Sequence, residues 1–144
     1  MGKTVTLLYS ANLIIFDFWD TLVSSCSEKV EWRQGAKELL EKLSDKIKAI
    51  SSDASRTTIT EFLESQPPYF NAIYDETHSF RRNRQTYKNL GKICNYFKVK
   101  PATAVMIGDS QTDKVSARKY KIPFIEVPSA YDNKDYSLSE LLKQ

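Results

Sequence analysis

Three carboxylates in this sequence follow apolar runs that are typical of buried strands. Asp17 follows the run 13–16 directly. Asp109 follows the run 104–107 after one glycine, and Asp113 lies four residues further on. Reactive groups of open parallel sheets lie just past the carboxyl ends of the strands, so these side chains can face one crevice. Carboxylate oxygens are hard ligands that suit Mg²⁺, and the spacing therefore predicts a magnesium site.

A hydroxyl group takes the same kind of position after a third apolar run. Residues 47–50 predict a short strand, and Ser51 and Ser52 follow it. Three strand ends that carry Asp, Ser and Asp in this order are a more specific signal than any one of them. Zinc is not expected, because Cys26 and Cys94 have no CxxC partner and the chain has a single histidine. We interpret Cys26 as an ordinary small residue.

The elements that must position these groups alternate between apolar strands and amphipathic helices. Such alternation predicts an α/β fold with a parallel sheet. The continuous apolar run 13–16 predicts a strand that is buried on both faces. Further strands are predicted at 47–50, 70–74, 104–107 and 123–127, with 5–9 as an added edge strand. Helices are predicted at 34–44, 56–64, 87–97 and 112–120, and from Ser137 onward.

The predicted fold is a three-layer α/β sandwich around a mainly parallel, Rossmann-like central sheet. The chain has 144 residues, which fits a single domain spanning 1–144. Hydrophobic residues make up 41% of the sequence, which is enough to fill a core. We expect Asp17, Ser52 and Asp109 to converge at the carboxyl edge of three adjacent strands.

Charge and cysteine content exclude several classes of protein. The net charge of +3 is mildly basic and does not by itself require a nucleic acid or another anionic partner. Two cysteines cannot form a dense disulfide framework, which favours a reducing compartment. No apolar run approaches the ~18 residues that cross a bilayer, and the N-terminal residues lack the apolar stretch of a signal peptide. We therefore expect a cytoplasmic protein with no membrane partner.

The motifs resemble those of the haloacid dehalogenase-like hydrolase superfamily over roughly residues 13–127. Residues 17–21 are similar to the first family motif, an apolar strand followed by Asp-x-Asp-x-Thr. Ser52 resembles the hydroxyl residue of the second motif, with Ser51 one residue away. Residues 108–113 match the fourth motif, Gly-Asp-x-x-x-Asp, in full.

The resemblance implies a magnesium-dependent phosphatase that passes through an aspartyl phosphate. In such an enzyme a carboxylate attacks phosphorus, and water then cleaves the acyl phosphate. By resemblance, Asp17 is the nucleophile and a metal ligand, and Asp109 and Asp113 hold Mg²⁺ directly or through water. Ser52 is implied to bind phosphate.

One residue departs from the family pattern. The second aspartate of the first motif, the general acid and base of the family, is replaced by Trp19. An indole neither donates a proton to a leaving oxygen nor takes one from water, although the backbone carbonyl of Trp19 is still expected to bind the metal. General acid–base catalysis contributes ~10²–10⁴-fold. We therefore expect a slow phosphatase, an enzyme for substrates with good leaving groups, or one whose acyl phosphate persists. Asp20 is an alternative proton donor, but a turn or cap role fits it better.

The third family motif is a Lys or Arg ahead of a helix, and the sequence offers four candidates. The usual spacing back from Gly108 leads to Arg84, with Arg81, Arg82 and Lys88 as neighbours that a short gap would bring in. An arginine can hold phosphate through two parallel hydrogen bonds. We predict that Arg84 binds phosphate.

The segment that contains these candidates is strongly basic. Residues 81–100 carry seven Lys or Arg residues and no acidic residue. Arg84, Lys88 and Lys92 recur every four residues opposite the apolar face of the predicted helix 87–97. A basic stripe could guide a phosphorylated polymer, but the solvated face of an amphipathic helix is the commoner reason for such a pattern.

The intervals between the motifs leave no room for a folded cap domain. Positions 17 and 51 are 34 apart, and positions 52 and 84 are 32 apart. By resemblance, capless relatives act on phosphoproteins, nucleic-acid ends or other large substrates, or use a neighbouring subunit of an oligomer as a lid. The predicted function is a phosphoric monoester hydrolase for a phosphorylated substrate, with a phosphoprotein or a nucleic-acid end among the candidates. The alternative is a non-catalytic phosphate- or partner-binding protein on the same scaffold.

Overall fold

A computed structural model describes residues 2–24 and 29–144, so the interpretation of Cys26 lies outside the described residues. The helices are α1 (Lys3–Ser10), α2 (Ala36–Lys42), α3 (Arg56–Leu63), α4 (Leu90–Phe97) and α5 (Gln111–Lys119). The strands are β1 (Leu13–Phe16), β2 (Val23–Ser24), β3 (Glu31–Trp32), β4 (Ile47–Ser51), β5 (Ala72–Tyr74), β6 (Ser79–Arg82), β7 (Gln85–Lys88), β8 (Ala104–Gly108) and β9 (Phe124–Glu126). Short 3₁₀ segments cover Glu76–His78, Pro101–Thr103 and Leu138–Leu142.

Five parallel strands form the central sheet in the order β5-β4-β1-β8-β9. Strand β1 lies in the middle, where Leu13 is opposite Ile47 of β4 and Ala104 of β8. Because β1 has a strand on each side and helices on both faces, all four of its residues are buried. The prediction of a doubly buried strand at 13–16 is confirmed.

Alternate residues of the strands separate two apolar layers. Ile14 and Phe16 belong to the cluster that contains apolar residues of α1, α2 and α3. Leu13 and Ile15 belong to the cluster that contains apolar residues of α4 and α5. This period of two is the strand pattern that lets one sheet bury both of its faces. The predicted three-layer α/β sandwich with a mainly parallel sheet is therefore confirmed.

The predicted edge strand at 5–9 is wrong, because this segment forms helix α1. Val5 and Leu8 are three residues apart, and both side chains are buried. Such spacing puts two side chains on one face of a helix. The edges of the sheet are occupied by β5 and β9 instead.

The predicted helix 87–97 begins later than expected, because its first residues belong to a β-hairpin. Strands β6 and β7 pair antiparallel, and Phe80 lies opposite Tyr87. The hairpin closes through two residues with positive φ, Asn83 at 52° and Arg84 at 66°. Helix α4 starts only after Asn89, whose side chain accepts a hydrogen bond from the amide of Lys92. The basic residues 84 and 88 therefore do not continue a helical stripe.

No helix within the described ranges is long and apolar enough to cross a membrane.

Shortening a side chain of the central strand should destabilise the whole sheet. Ile15→Ala leaves a cavity between β1 and the layer of α4 and α5, and the free energy of unfolding should fall by about 2–5 kcal/mol. Urea denaturation followed by circular dichroism measures this change. Tyr131→Ala, at a side chain that is 72% exposed, is the control and should stay within about 0.5 kcal/mol of the parent. Equal losses in the two variants would contradict this account of the core.

Candidate active site

Three neighbouring strands bring polar side chains to one edge of the sheet. Strands β4 and β8 flank β1 in parallel register. Asp17 follows β1, Ser52 follows β4 and Asp109 follows β8. The amide of Asp17 donates a hydrogen bond of 3.0 Å to the carbonyl of Ile107, which fixes the start of the loop after β1. The sheet therefore places these three residues as the sequence predicted.

Asp17, Asp109 and Asp113 form one carboxylate cluster. Each contributes an oxygen, and these oxygens all lie within 4.8 Å of one another. Two ligands on opposite sides of a Mg²⁺ ion are about 4.2 Å apart, because Mg–O bonds are ~2.1 Å. Three hard oxygen donors at nearly this separation fit Mg²⁺ with only small side-chain adjustments or an intervening water.

The first turn of α5 positions Asp113. Ser110 caps this helix: its hydroxyl accepts from the amide of Asp113 at 3.3 Å and donates to the carboxylate at 3.0 Å. Gly108 lets this turn pack tightly against the end of β8, because a Cβ at that position would collide with the side chain of Asp113. Asp113 is fully buried as a result.

Thr21 links two of the carboxylates and was not among the predicted site residues. Its hydroxyl lies 3.2 Å from Asp17 Oδ2 and 2.9 Å from Asp109 Oδ1. The hydroxyl has one proton, which it can donate to only one of the two carboxylates at a time. Thr21 therefore restrains the positions of both carboxylates but leaves their negative charges in place. The signal that could have identified it is its position four residues after Asp17, where the similar motif has a threonine.

Lys88 is the cation that the fold brings to the carboxylates. Its Nζ lies 2.7 Å from Asp17 Oδ1 and 2.5 Å from Asp113 Oδ1, and the side chain is only 2% exposed. Lys88 is the last residue of β7, and its amide donates to the hydroxyl of Ser116 in α5 at 2.8 Å. Lys88 was one of the four candidates for the third motif, and it directly precedes helix α4, whose N-cap is Asn89.

Arg84, the residue predicted to bind phosphate, is not brought to this cluster. It is exposed in the turn between β6 and β7, four residues before Lys88. At ~3.3 Å per strand residue, its backbone lies about 13 Å from that of Lys88. Arg81 and Arg82 are also exposed on the hairpin. Arg84 is kept away from the cluster because a hairpin, and not a helix, connects it to Lys88.

The loop after β1 carries Trp19 and Asp20. Trp19 is half-buried, and its ring packs edge-on against Phe18 with centroids 5.4 Å apart. Asp20 has a φ of 60°, and its amide donates to the carbonyl of Val23 at 2.8 Å. Aspartate tolerates this left-handed conformation better than most residues. The backbone of Asp20 thus forms a turn, in line with the turn role that the sequence favoured.

Arg33 fixes the same loop from the far side, a role that the sequence analysis did not identify. Its Nη1 donates to the carbonyl oxygens of Asp20 at 3.0 Å and Pro128 at 2.7 Å. Its Nη2 donates to the carbonyl of Asn133 at 3.3 Å. The guanidinium therefore ties the loop after β1 to the segment after β9. Since these partners are far from Arg33 in sequence, no local pattern could reveal them.

Ser52 is buried in the turn that follows β4, the strand that pairs with β1. Its amide donates to the carbonyl of Tyr74 at 2.9 Å, and its hydroxyl oxygen accepts from the amide of Ala54 at 3.0 Å. The hydroxyl keeps its own proton for donation to an acceptor.

Burial dominates the electrostatics of the site. It raises the pKa of Asp17 and that of Asp113 to about 6 from an ordinary 3.8, although the nearby Lys88 ammonium opposes both shifts. Burial by itself would lower the pKa of Lys88, but attraction to the two carboxylates outweighs it and the pKa rises. The site thus contains a permanently charged ammonium beside two carboxylates that bind protons more tightly than usual.

Comparisons with known proteins give the family and the fold of this chain. The family model described as haloacid dehalogenase-like hydrolase matches residues 14–127. The comparison with curated proteins gives no match. Solved structures with the same fold include a haloacid dehalogenase-like hydrolase from Streptococcus pneumoniae, at 16% identity and a TM-score of 0.68 over 94% of this chain and 91% of that chain.

Two further structures of this fold are described by their phosphate chemistry. One, from Lactobacillus plantarum, is described as a phosphoglycolate phosphatase, with 14% identity, a TM-score of 0.68 and coverage of 88% of this chain and 91% of that chain. The other is CbbY from Rhodobacter sphaeroides in complex with phosphate, with 12% identity, a TM-score of 0.68 and coverage of 89% and 91%. These identities establish a shared fold. Because the family model spans most of the sequence, the chain belongs to the haloacid dehalogenase-like hydrolases.

Proposed function

We propose that this protein is a Mg²⁺-dependent phosphoric monoester hydrolase whose nucleophile is Asp17. The observation that carries the proposal is the cluster of Asp17, Asp109 and Asp113 oxygens within 4.8 Å, with the Lys88 ammonium against two of them. Clustered carboxylates for a divalent cation and a buried cation for an anion are what phosphoryl transfer needs, because its catalysis is mainly positioning and charge stabilisation.

The three carboxylates would hold Mg²⁺, and the backbone carbonyl of Trp19 is proposed as a further ligand. A bound Mg²⁺ supplies neutralisation of the phosphate charge and alignment with the nucleophile. Thr21 limits rotation of the Asp17 carboxylate through its hydrogen bond to Oδ2. Lys88 and Ser52 are proposed to hold phosphate oxygens, the first by charge and the second by its hydroxyl proton.

The proposed reaction has two steps. A carboxylate oxygen of Asp17 attacks phosphorus, the bond from phosphorus to the ester oxygen breaks, and that oxygen leaves with the bonding electrons. Water then attacks the aspartyl phosphate, which restores the carboxylate and releases inorganic phosphate. Lys88 stays charged throughout, because its pKa is raised, and it offsets the negative charge of the attacking carboxylate and the phosphate.

Trp19 favours a second candidate, a non-catalytic phosphate-binding protein on the same scaffold. The ring has no titratable group, and it packs against Phe18 instead of a charged partner. A weak catalyst would result if no other group donates a proton to the leaving oxygen. The phosphate complex of CbbY and the phosphatase description of the Lactobacillus plantarum protein support phosphate chemistry in either case.

Removing the nucleophile should abolish turnover. Asp17→Asn should reduce Mg²⁺-dependent release of phosphate from p-nitrophenyl phosphate to background, because an amide oxygen cannot form the acyl phosphate. Asp45→Asn, at an exposed residue after α2, is the charge-matched control and should keep parental turnover. Turnover that survives Asp17→Asn would exclude Asp17 as the nucleophile, and absence of turnover in the parent would favour the non-catalytic candidate.

Restoring the carboxylate at position 19 tests the missing acid. The aryl oxide of an aryl phosphate leaves without being protonated, whereas the alkoxide of an alkyl phosphate needs a proton on the leaving oxygen. Trp19→Asp should therefore raise kcat for alkyl phosphates by at most ~10²–10⁴-fold and raise it less for aryl phosphates. Trp19→Asn is the matched control, because it removes the same ring without adding an acid. Equal rates on both classes in the parent would mean that another group supplies the proton.

Proton binding by the carboxylates should make stability depend on pH and on Mg²⁺. Raised pKa values mean that Asp17 and Asp113 contribute stability fully below their ordinary pKa of 3.8 and lose that contribution as pH rises through about 6. The melting temperature in EDTA should therefore fall between about pH 4.5 and pH 7. Mg²⁺ should raise the melting temperature at pH 7. It should have little effect at about pH 4.5, because protons compete with the ion for the carboxylates there.

Scanning fluorimetry at constant ionic strength measures this dependence. Asp75 does not oppose the effect in this window, since its hydrogen bonds with Thr77 and Arg56 lower its pKa and it is ionised throughout. Ca²⁺ at the same concentration shows whether the rise in melting temperature requires Mg²⁺, the smaller ion. A melting temperature in EDTA that rises from pH 4.5 to pH 7 would contradict the raised pKa values.

A further inference from the structure

The positive charge of this protein is concentrated in one part of the chain. Residues 79–125 contain eleven Lys or Arg residues and two acidic residues, Asp109 and Asp113, which both belong to the carboxylate cluster. Residues 29–78 contain nine acidic and seven basic residues. The mild net charge therefore conceals a strongly basic third of the chain, residues 79–125, whose two acidic residues both lie in the carboxylate cluster.

The folded chain brings exposed cations of the β6–β7 hairpin and of the last turn of α5 together. We call this the basic surface; its exposed cations are Arg81, Arg82, Arg84 and Lys119. Lys119 of α5 lies over the rings of Phe80 and Tyr87 on the hairpin, at 5.9 and 5.5 Å. These contacts join the two elements into one surface.

The basic surface and the active site are built on the same two elements. Strand β7 ends in Lys88, which contacts Asp17, and the first turn of α5 carries Asp113 beside the exposed Lys114. The path from Lys88 to Arg84 at the tip of the hairpin is about 13 Å, since each strand residue advances ~3.3 Å. At ~3.4 Å per nucleotide along one strand, this is the length of about four stacked nucleotides.

The tip of the hairpin keeps an arginine where the backbone favours glycine. Arg84 has a φ of 66° and follows Asn83, also with positive φ. Two-residue hairpin turns of this kind prefer glycine at such positions, because a Cβ disfavours left-handed conformations. The side chain of Arg84 is exposed, and its carbonyl accepts from Arg81 at 3.1 Å. A strained and exposed cation at a loop tip points to a role outside the fold.

We propose that the substrate of this site is a single-stranded nucleic-acid end bearing a phosphate monoester, and that the basic surface binds the adjoining backbone phosphates. The proposal rests on the proposed phosphatase function. A run of cations matches a run of backbone phosphates, whereas a phosphoprotein presents an isolated phosphate among mixed charges. The stacked pair Phe80 and Tyr87, with centroids 5.5 Å apart, is partly exposed beside these cations. Aromatic rings among cations are typical of surfaces that bind single strands.

Fluorescence anisotropy with a labelled oligothymidylate of ~12 nucleotides tests the surface. The probe carries a 5′-phosphate, a 3′-phosphate or no terminal phosphate. The test variant is Arg82→Gln with Arg84→Gly, and the control is Lys37→Gln with Lys42→Gln on α2, which removes the same charge from exposed positions. Losing two phosphate contacts should weaken binding about 25-fold at 0.1 M salt and reduce the slope of log K against log salt by about 1.4.

The control pair should change binding less than threefold. Circular dichroism of the test variant should show an intact fold, and its melting temperature should not fall, because glycine relieves the left-handed backbone at position 84. Equal losses in the two double variants, or binding by the parent that does not depend on salt between ~50 and 200 mM, would overturn the proposal. Tighter binding of a phosphopeptide than of the phosphorylated oligonucleotide would also overturn it.

Phosphate release by the parent protein separates this proposal from the proposed function. Release from a phosphorylated oligonucleotide with a lower KM than for p-nitrophenyl phosphate supports both. Hydrolysis of p-nitrophenyl phosphate without binding of the oligonucleotide would refute the substrate assignment and leave the phosphatase standing. Salt-dependent oligonucleotide binding without any phosphate release would refute the phosphatase, and with it the substrate role, leaving only a binding surface.

Discussion

The ammonium group of Lys88 lies between the carboxylates of Asp17 and Asp113, and the rest of the site depends on this arrangement. Burying carboxylates without a partner is expensive, and an uncompensated buried charge destabilises a protein by about 3–5 kcal/mol. One buried cation shared by two carboxylates allows both to remain at the bottom of the site. Asp109 is less buried and is held by the Thr21 hydroxyl instead.

The fold satisfies this constraint by fixing each charged residue through its backbone. The sheet fixes Asp17, since its amide is bonded to the neighbouring strand. A helix cap fixes Asp113, and its side chain packs closely against Gly108, where a Cβ would collide with it. Lys88 is fixed by the hydrogen bond of its amide to Ser116, which also joins the β6–β7 hairpin to α5. The hairpin therefore serves the site and, in the proposal above, presents the basic surface beside it.

Trp19 separates this site from the similar family motif, which has an aspartate at this position. The carboxylate cluster and the Lys88 ammonium are in place, while the position of the second aspartate in the similar family motif holds an aromatic ring. The ring belongs to a group of edge-on aromatic contacts in which Phe18 packs on Phe62 and Phe62 on Trp32. Such contacts contribute ~0.5–1.5 kcal/mol per pair beyond their burial. Trp19 thus stabilises the loop after β1 that carries Asp17, and in the proposed function it does so at the expense of acid catalysis.

Much of the fold could be read from local patterns. The run 13–16 showed a central strand because only a strand covered on both faces is apolar at every residue. The order of strand ends indicated Asp17, Ser52 and Asp109, because parallel strands bring their carboxyl ends to one edge. The prediction of a strand at 5–9 was wrong because the apolar residues of this segment suit either a strand or a helix. Packing of Val5 and Leu8 against the core decided in favour of α1.

The position of the cation was decided by tertiary structure alone. Arg81, Arg82, Arg84 and Lys88 are chemically similar and lie within eight residues of sequence. A two-residue turn with left-handed backbone at Asn83 and Arg84 decides which of these cations enters the site. Neither residue is glycine, so the sequence carries no clear signal of this turn. That turn makes a hairpin that points Arg84 to solvent and leaves Lys88 beside Asp17. Arg33 was not identified for a related reason, because two of its three carbonyl partners lie 95 and 100 positions away and no local pattern encodes them. The sequence by itself determined the fold class and the carboxylates, because burial and strand order are written in local apolar patterns. Tertiary structure determined the charge that faces them, because a long side chain finds its partners only after the strands and helices have packed.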